Sequence, residues 1–468
     1  MTDRLSALDA SFLYAERPAT PLHVGGIAIV ERPEKGFDYG QLLSLVGRRL
    51  AYLPRYRRRV RPVPGHLSRP VWVDDVDFDL NYHVRRSALP EPGNHRQLFE
   101  LVARLLARPL DVERPLWELY MVEGLAGNRV ALVTKTHQSM VDGIGSLDLG
   151  QLLLDDEPTE PGPAEEFWTA RPRPGRVRLV TDAVADTVRR PAEMVENVRT
   201  AVRDVASTAD RVLGAVEDVA SAVHSVLRPA APSPLNAHVS RGRVFAGVRT
   251  DLEDLRRVRR RHGGTVNDVV LAVVTGALRE WLARRGMPLS QTSTVRALVP
   301  RAVRDGDTVG GSPEGPLDNR VVPALVELPV GEPDPVLRLR HLSHAMAAQP
   351  DADRSVAAAA MLRLGGFAPA TMQSLAGRAA SSLSGRLFNV VVSNSPGPQR
   401  PRYAGPARMT EIYPVMPLAR NQALAVGITS YDGGVYVGLN GDRKALSDVD
   451  VLAGMVTDAL EELKGTIW

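Results

Sequence analysis

Cysteine is absent from the 468 residues, which excludes disulfides, thiolate nucleophiles, zinc–cysteine sites and iron–sulfur clusters. Lysine is nearly absent too: of 58 basic residues, four are lysine and 54 arginine. Arginine keeps its proton at all ordinary pH values, so a net charge of only +4 goes with a pI of 9.4. No segment approaches the roughly 18 consecutive apolar residues a membrane span needs. The strongest candidate, Val269–Leu278, is too short. The first residues carry no basic stretch leading into an apolar one, so no signal peptide is expected and a cytoplasmic location is. Glycine-rich phosphate loops of the Walker or dinucleotide type are missing, as is a G-x-S-x-G nucleophile elbow. The ten histidines form no ligand pattern. His341 and His344 stand at helix spacing without a third ligand nearby, so no metal site is expected.

What is present describes a globular chain: 44% apolar and 24% charged residues, long enough for two or three cores. Two arginine clusters stand out, Arg55 to Arg61 and Arg256 to Arg261. A solvated face explains them, or attraction to the phosphates of a nucleotide or an anionic membrane. No nucleic-acid motif accompanies them, so nucleic acid is not an expected partner.

Proline-rich breaks at Pro158–Gly175 and Arg228–Pro234 divide the chain into residues 1–157, 158–235 and 236–468. Between the breaks, Val195, Val198, Val202, Val205, Ala209, Val212, Val216, Val219, Val223 and Val226 follow 3,4 spacing and form one helical stripe. Valine is a mediocre helix former, so this helix is expected to strap across the two halves. A membrane-surface helix or a lid are the alternatives. In the first part, 23–30 and 130–137 read as strands, and 41–53 and 95–107 as helices. In the last, 243–251, 294–300, 320–328, 388–393, 423–431 and 435–439 read as strands, with helices over 252–261 and 266–285. Gly263 and Gly264 end the first of these helices. Strands and helices mix without a βαβ repeat. The expected class is therefore α+β, two halves joined by a helical linker.

The segment Lys135–Gly143 (KTHQSMVDG) holds the candidate chemistry. A strand ends on His137, Asp142 and Gly143 make a turn, and an apolar helix follows over 144–154. A strand end beside a turn can place an imidazole for acid–base work, though a lone histidine there is more often structural. At this segment the chain resembles the bacterial wax ester synthase/diacylglycerol acyltransferase family, whose members carry His-His-x-x-x-Asp-Gly. The resemblance runs along nearly the whole sequence. It includes Leu8-Asp9, Pro21-Leu22-His23-Val24-Gly25-Gly26, Asp79-Leu80-Asn81-Tyr82-His83, Pro115-Leu116-Trp117-Glu118, Asn267-Asp268, Ala297-Leu298-Val299-Pro300, Ser393–Pro398 and Tyr413–Leu418.

The resemblance implies two chloramphenicol-acetyltransferase-like halves, a long linker and a tunnel between the halves. It implies a long-chain acyl-CoA as co-substrate without a further cofactor, diacylglycerol or a fatty alcohol as acceptor, and peripheral contact with a membrane or lipid inclusion. It also implies that the motif's second histidine removes the acceptor's proton and that the alkoxide attacks the thioester directly. Here that position is Gln138, which has no proton-accepting nitrogen. His137 matches the family's first, supporting histidine. Alternation along a strand points it to the other face from its neighbour. A slowed acyltransferase and a relative that only binds acyl-CoA or lipid both remain open. The candidate catalytic residues are His137, Gln138 and Asp142, the last through an ion pair to Arg296 or Arg304. Gly143, Pro115, Leu116, Trp117, Asn267 and Asp268 are the candidate substrate contacts. Two of these have plainer explanations: Trp117 as a core residue, and Asp268 as the far end of a capping box begun by Thr265.

Overall fold

The computed structural model describes residues 3–34, 36–64, 68–141, 153–160, 162, 168–175, 177–182, 230–303, 320–347 and 387–467. Asp142, Gly143, Arg304 and the valine stripe of 195–226 lie outside the described residues.

The first part runs β1 (Asp3–Arg4), α1 (Ala7–Ala15), β2 (His23–Glu31), α2 (Tyr39–Arg49), β3 (Arg58–Arg61), β4 (Val71–Asp74), α3 (Leu80–His83), β5 (Val84–Ala88), α4 (His95–Ala107), β6 (Trp117–Leu125) and β7 (Arg129–His137). The second runs β8 (Arg243–Asp251), α5 (Leu252–His262), α6 (Val266–Arg284), β9 (Val295–Val303), β10 (Arg320–Leu328), α7 (Pro335–Ala347), β11 (Val390–Ser395), β12 (Tyr403–Ala404), β13 (Ala407–Val415), β14 (Leu424–Tyr431), β15 (Gly434–Asp442) and α8 (Val449–Gly465).

Side chains start the helices where the sequence supplies them. Asp38 with Gln41, Asn94 with Gln97, and Thr265 with Asp268 close capping boxes on α2, α4 and α6. Gly263, at φ 85°, takes the left-handed turn that ends α5. α6, which contains the most apolar run of the chain, is a core helix with Val269 to Leu278 buried beneath α8. No helix among the described residues is long and apolar enough to cross a membrane.

Among the described residues there are two six-stranded sheets, ordered β12-β13-β2-β7-β6-β5 and β10-β9-β11-β14-β15-β8, and a small one, β1-β4-β3. The first order shows that the halves are not independent along the chain. β12 and β13 come from the part after residue 236 yet complete the first sheet, with β13 antiparallel to β2 from Met409↔Val30 to Val415↔Gly25. Ile412, Tyr413 and Val415 join the first core accordingly.

The crossing is tight. Gly427, Gly438 and Gly247 are mutual register partners on β14, β15 and β8, so they form one row across the second sheet. A Cβ on Gly438 would lie 2.0 Å from the Pro414 carbonyl oxygen, and one on Gly247 would lie 2.6 Å from the Phe99 ring. The row is the track on which β13 and α4 rest. Tyr413 fills the seam, edge-on to Phe99 at 5.2 Å and to Tyr436 at 5.4 Å.

Both arginine clusters are largely engaged locally. Arg55 lies over Trp72, Arg58 pairs with Asp3 and Asp74, and Arg59 reaches the Glu113 carbonyl. On α5, Arg256 and Arg260 pair with Glu253, and Arg257 with Asp254.

Candidate active site

His137 is the last residue of β7 and lies directly opposite His23 of β2. The turn that follows, Gln138–Met140, is shaped by this imidazole. Nδ1 accepts the Ser139 N–H at 3.1 Å and lies 2.7 Å from Ser139 Oγ, so the side chain caps the turn. The backbone is pinned on both sides: His137 N donates to the Leu116 carbonyl and Gln138 N to the Leu22 carbonyl, each at 2.9 Å.

Because Nδ1 accepts from the Ser139 amide, the neutral ring carries its proton on Nε2. That edge faces Glu16, just past α1, at 3.6 Å from Oε2. The separation is too long for a hydrogen bond, and Nε2 is buried without a partner among the described residues. His23 Nε2 approaches the other Glu16 oxygen at 3.4 Å, and the two imidazoles meet edge to face at 6.3 Å. His137 is 1% exposed, and this burial pushes its pKa down to about 4. Burial lowers His23 as well, against the opposing pull of Glu16. At neutral pH, His137 is therefore an uncharged, enclosed ring directed at α1.

Two residues earlier on the same face, Lys135 is buried with Nζ 3.1 Å from Glu118, which also accepts from Tyr120 and pairs with Arg85 at 3.2 Å. Burial lowers the Lys135 ammonium and the Glu118 carboxylate opposes that shift. This network satisfies a buried charge and holds β6 to β7.

Gln138 is half-buried, and its carboxamide makes no hydrogen bond among the described residues. Of the candidate substrate contacts, Pro115, Leu116 and Trp117 are enclosed. The Trp117 ring stacks on His83 at 4.6 Å and donates from Nε1 to the Tyr56 carbonyl at 2.7 Å. It is a core residue, with no face left for a ligand. Asp268 is likewise accounted for: it closes the capping box with Thr265 and accepts from Ser343 Oγ at 3.1 Å. Asn267 accepts from Asn394 Nδ2 at 2.9 Å, which joins two separated motifs across α6 and β11.

The described residues bound a cavity of about 250 Å³ lined by Gly26, Ala28, Leu132, Thr134, Leu153, Leu154, Pro398, Arg402, Met409 and Ile412; none of its lining residues belongs to the His137–Gly143 motif. Both parts of the chain build it. Leu132 and Thr134 alternate with Val133, Lys135 and His137 along β7, so the cavity and the imidazole lie on opposite faces of that strand. Sequence reasoning had assigned no role to Glu16, His23, Ser139 or Arg402. Only His23 carried a signal, through the Pro21–Gly26 motif; the others depend on strand register and on the crossing of β13.

Residues 5–270 match the family model described as the wax ester synthase/diacylglycerol acyltransferase catalytic domain, and residues 317–464 match the WS/DGAT C-terminal domain. The chain belongs to this family. Among its relatives, the probable diacylglycerol O-acyltransferase tgs3 of Mycobacterium tuberculosis is 47% identical over 263 residues, 56% of this chain and 97% of tgs3. The probable diacylglycerol O-acyltransferase tgs1 of the same species is 34% identical over 463 residues, 98% of this chain and 96% of tgs1. The wax ester synthase/diacylglycerol acyltransferase from Marinobacter aquaeolei VT8 superposes with a TM-score of 0.67 at 28% identity, covering 99% of both chains. The first condensation domain of the calcium-dependent antibiotic synthetase, at 16% identity and a TM-score of 0.58 over 99% of this chain and 97% of its own, shares the two-half fold.

Proposed function

We infer that this chain transfers a fatty acyl group from acyl-CoA to an alcohol, diacylglycerol or a fatty alcohol, giving a neutral lipid ester. Acyl-CoA serves as co-substrate and no other cofactor takes part. Family membership along both halves carries this reading, and the largely apolar cavity lined from both parts of the chain supports it. In the transfer, the acceptor oxygen bonds to the thioester carbon, the carbon–sulfur bond breaks and CoA leaves as thiol. The hydroxyl proton leaves the acceptor and ends on that sulfur, so some group must carry it across. Both acceptors partition into lipid, so peripheral contact with a membrane or inclusion surface, from the cytoplasmic side, belongs to this reading.

The residues constrain how that proton leaves. Gln138, at the family's base position, can orient a hydroxyl or donate to a developing oxyanion but cannot take up a proton. His137 is directed at Glu16 on the other side of the strand, and its low pKa makes it a weak base at pH 7. Binding both substrates in line still supplies rate, so slow transfer is the expected behaviour. The same two observations favour a second reading, a relative that binds acyl-CoA or lipid without turnover.

The test is thiol release from palmitoyl-CoA with 1,2-diacylglycerol. Gln138→His should raise the rate by about 10- to 1,000-fold, up to the middle of the ~100- to 10,000-fold that general-base catalysis typically contributes. It should also introduce a pH dependence near an imidazole pKa. If neither the folded wild type nor folded Gln138→His releases thiol, the binding reading replaces the enzymatic one. A robust wild-type rate lost in His137→Ala and unimproved in Gln138→His would make His137 the base.

A further inference from the structure

We propose that the cavity over β2, β7 and β13 is a binding site for a fatty acid as its free carboxylate, with Arg402 holding the head group. This deepens the lipid reading above and rests on it. The walls come from Gly26 and Ala28 on β2, Leu132 on β7, and Met409 and Ile412 on β13, with Leu153 and Leu154 closing another side. Gly26 and Ala28 are the register partners of Thr134 and Leu132, and their small size leaves the depth into which a chain fits. Thr134 takes no share in binding a head group. Its Oγ1 is occupied by the Gly26 backbone, accepting from N at 3.0 Å and lying 3.3 Å from O. At about 250 Å³ the space falls just below the ~300–1,000 Å³ of ordinary ligand pockets, which suits one alkyl chain rather than a whole acyl-CoA.

Arg402 is the one charged residue among those lining the cavity. Its Nε–H is buried and has no hydrogen-bond partner among the described residues. Nη1 reaches Asp156 at 3.0 Å, but that carboxylate is 70% exposed, so the pair is worth little. The side chain is held where it is by its own backbone, whose N–H donates to the Tyr431 hydroxyl at 2.9 Å. The Arg402 side chain as a whole is 29% exposed, but a buried Nε–H left unmatched beside an apolar cavity is costly unless a ligand supplies the acceptor. A carboxylate matches the fork of a guanidinium, and an alkyl chain matches the walls. A fatty alcohol offers the chain and no charge. A fatty acid therefore binds here with a preference over the alcohol of equal length, and competes with substrate for an enzyme that handles acyl chains.

The test is calorimetric titration of the full chain with dodecanoate and with dodecanol, without acyl-CoA. Wild type should bind dodecanoate more tightly. Arg402→Met should weaken dodecanoate by about 10- to 100-fold, the worth of a hydrogen bond to a charged group, and leave dodecanol nearly unchanged. Arg402→Lys should restore part of the loss. Ala28→Phe, which fills the cavity, should abolish both. Melting curves of each variant separate lost binding from lost folding. Equal dodecanoate affinity in wild type and folded Arg402→Met overturns the assignment of the head group, and unchanged binding in folded Ala28→Phe overturns the cavity. Because binding is read without turnover, failure of acyl transfer leaves this result intact, and the reverse holds too.

Discussion

At His137 one side chain does two structural jobs, capping the turn through Nδ1 and facing Glu16 through Nε2. The cap requires the neutral ring, because Nδ1 must accept; the approach to Glu16 does not, and that carboxylate opposes the effect of burial. His23, His83 and His137 all have pKa values lowered chiefly by burial, His137 to about 4. An unfolded chain binds protons at these rings near pH 6.5 whereas the folded one does not, so the unfolded state gains protons first as pH falls. Stability is therefore full above about pH 6.5 and is lost as pH drops towards about 4, with His137 alone contributing on the order of 3 kcal/mol. Melting temperature measured from pH 8 to 5 should fall on the acid side. His137→Asn, whose carboxamide can still accept from Ser139, should flatten that slope. A melting temperature independent of pH, or an unchanged slope in the variant, would contradict this account.

Elements with a clean local signal agree between sequence and structure. The helix over 95–107 has a capping box, an apolar stripe and buried Leu98, Val102 and Leu105; the strands over 243–251 and 320–328 also fall where expected. The helix expected over 41–53 ends at Arg49, because tight turns take over ahead of Pro54. Strand β13 escaped notice: Pro414 interrupts its pattern, and its partner β2 lies nearly 400 residues earlier. The glycine row was equally illegible, since three isolated glycines become neighbours only through sheet register. That row makes a sharp stability contrast. Gly438→Ala sets a methyl against a backbone oxygen that cannot step aside, and should cost about 3 kcal/mol or more, the upper end for overpacking. Gly454→Ala on α8 meets nothing within 4 Å and should stabilise by about 1 kcal/mol through helix propensity. Denaturant midpoints of the two variants test both signs; a neutral Gly438→Ala would mean that β13 does not press on the second sheet.

On the scale of the molecule, the motif His137–Gly143 belongs to the first part, yet the sheet that positions it is finished by the second. Proline-rich breaks divide the chain by composition, a division that the strand order does not respect. β2 shows why. Its residues from His23 to Val30 are buried but for one, and β7 covers only one of its edges. Without β13 the other edge would present Gly25 to Val30 as an unpaired, mostly apolar strand, the kind that recruits other chains. Residues 1–235 produced alone should therefore be insoluble or lack a cooperative melt, although they contain the whole His137–Gly143 motif. Co-production with residues 236–468 should restore a soluble complex, because the donated hairpin and the Tyr413 seam re-form both cores from two pieces. A cooperative, monomeric 1–235 would show that the first sheet does not depend on β13. The two halves would then be domains in their own right, and the cavity beneath Ile412 a surface added to one of them.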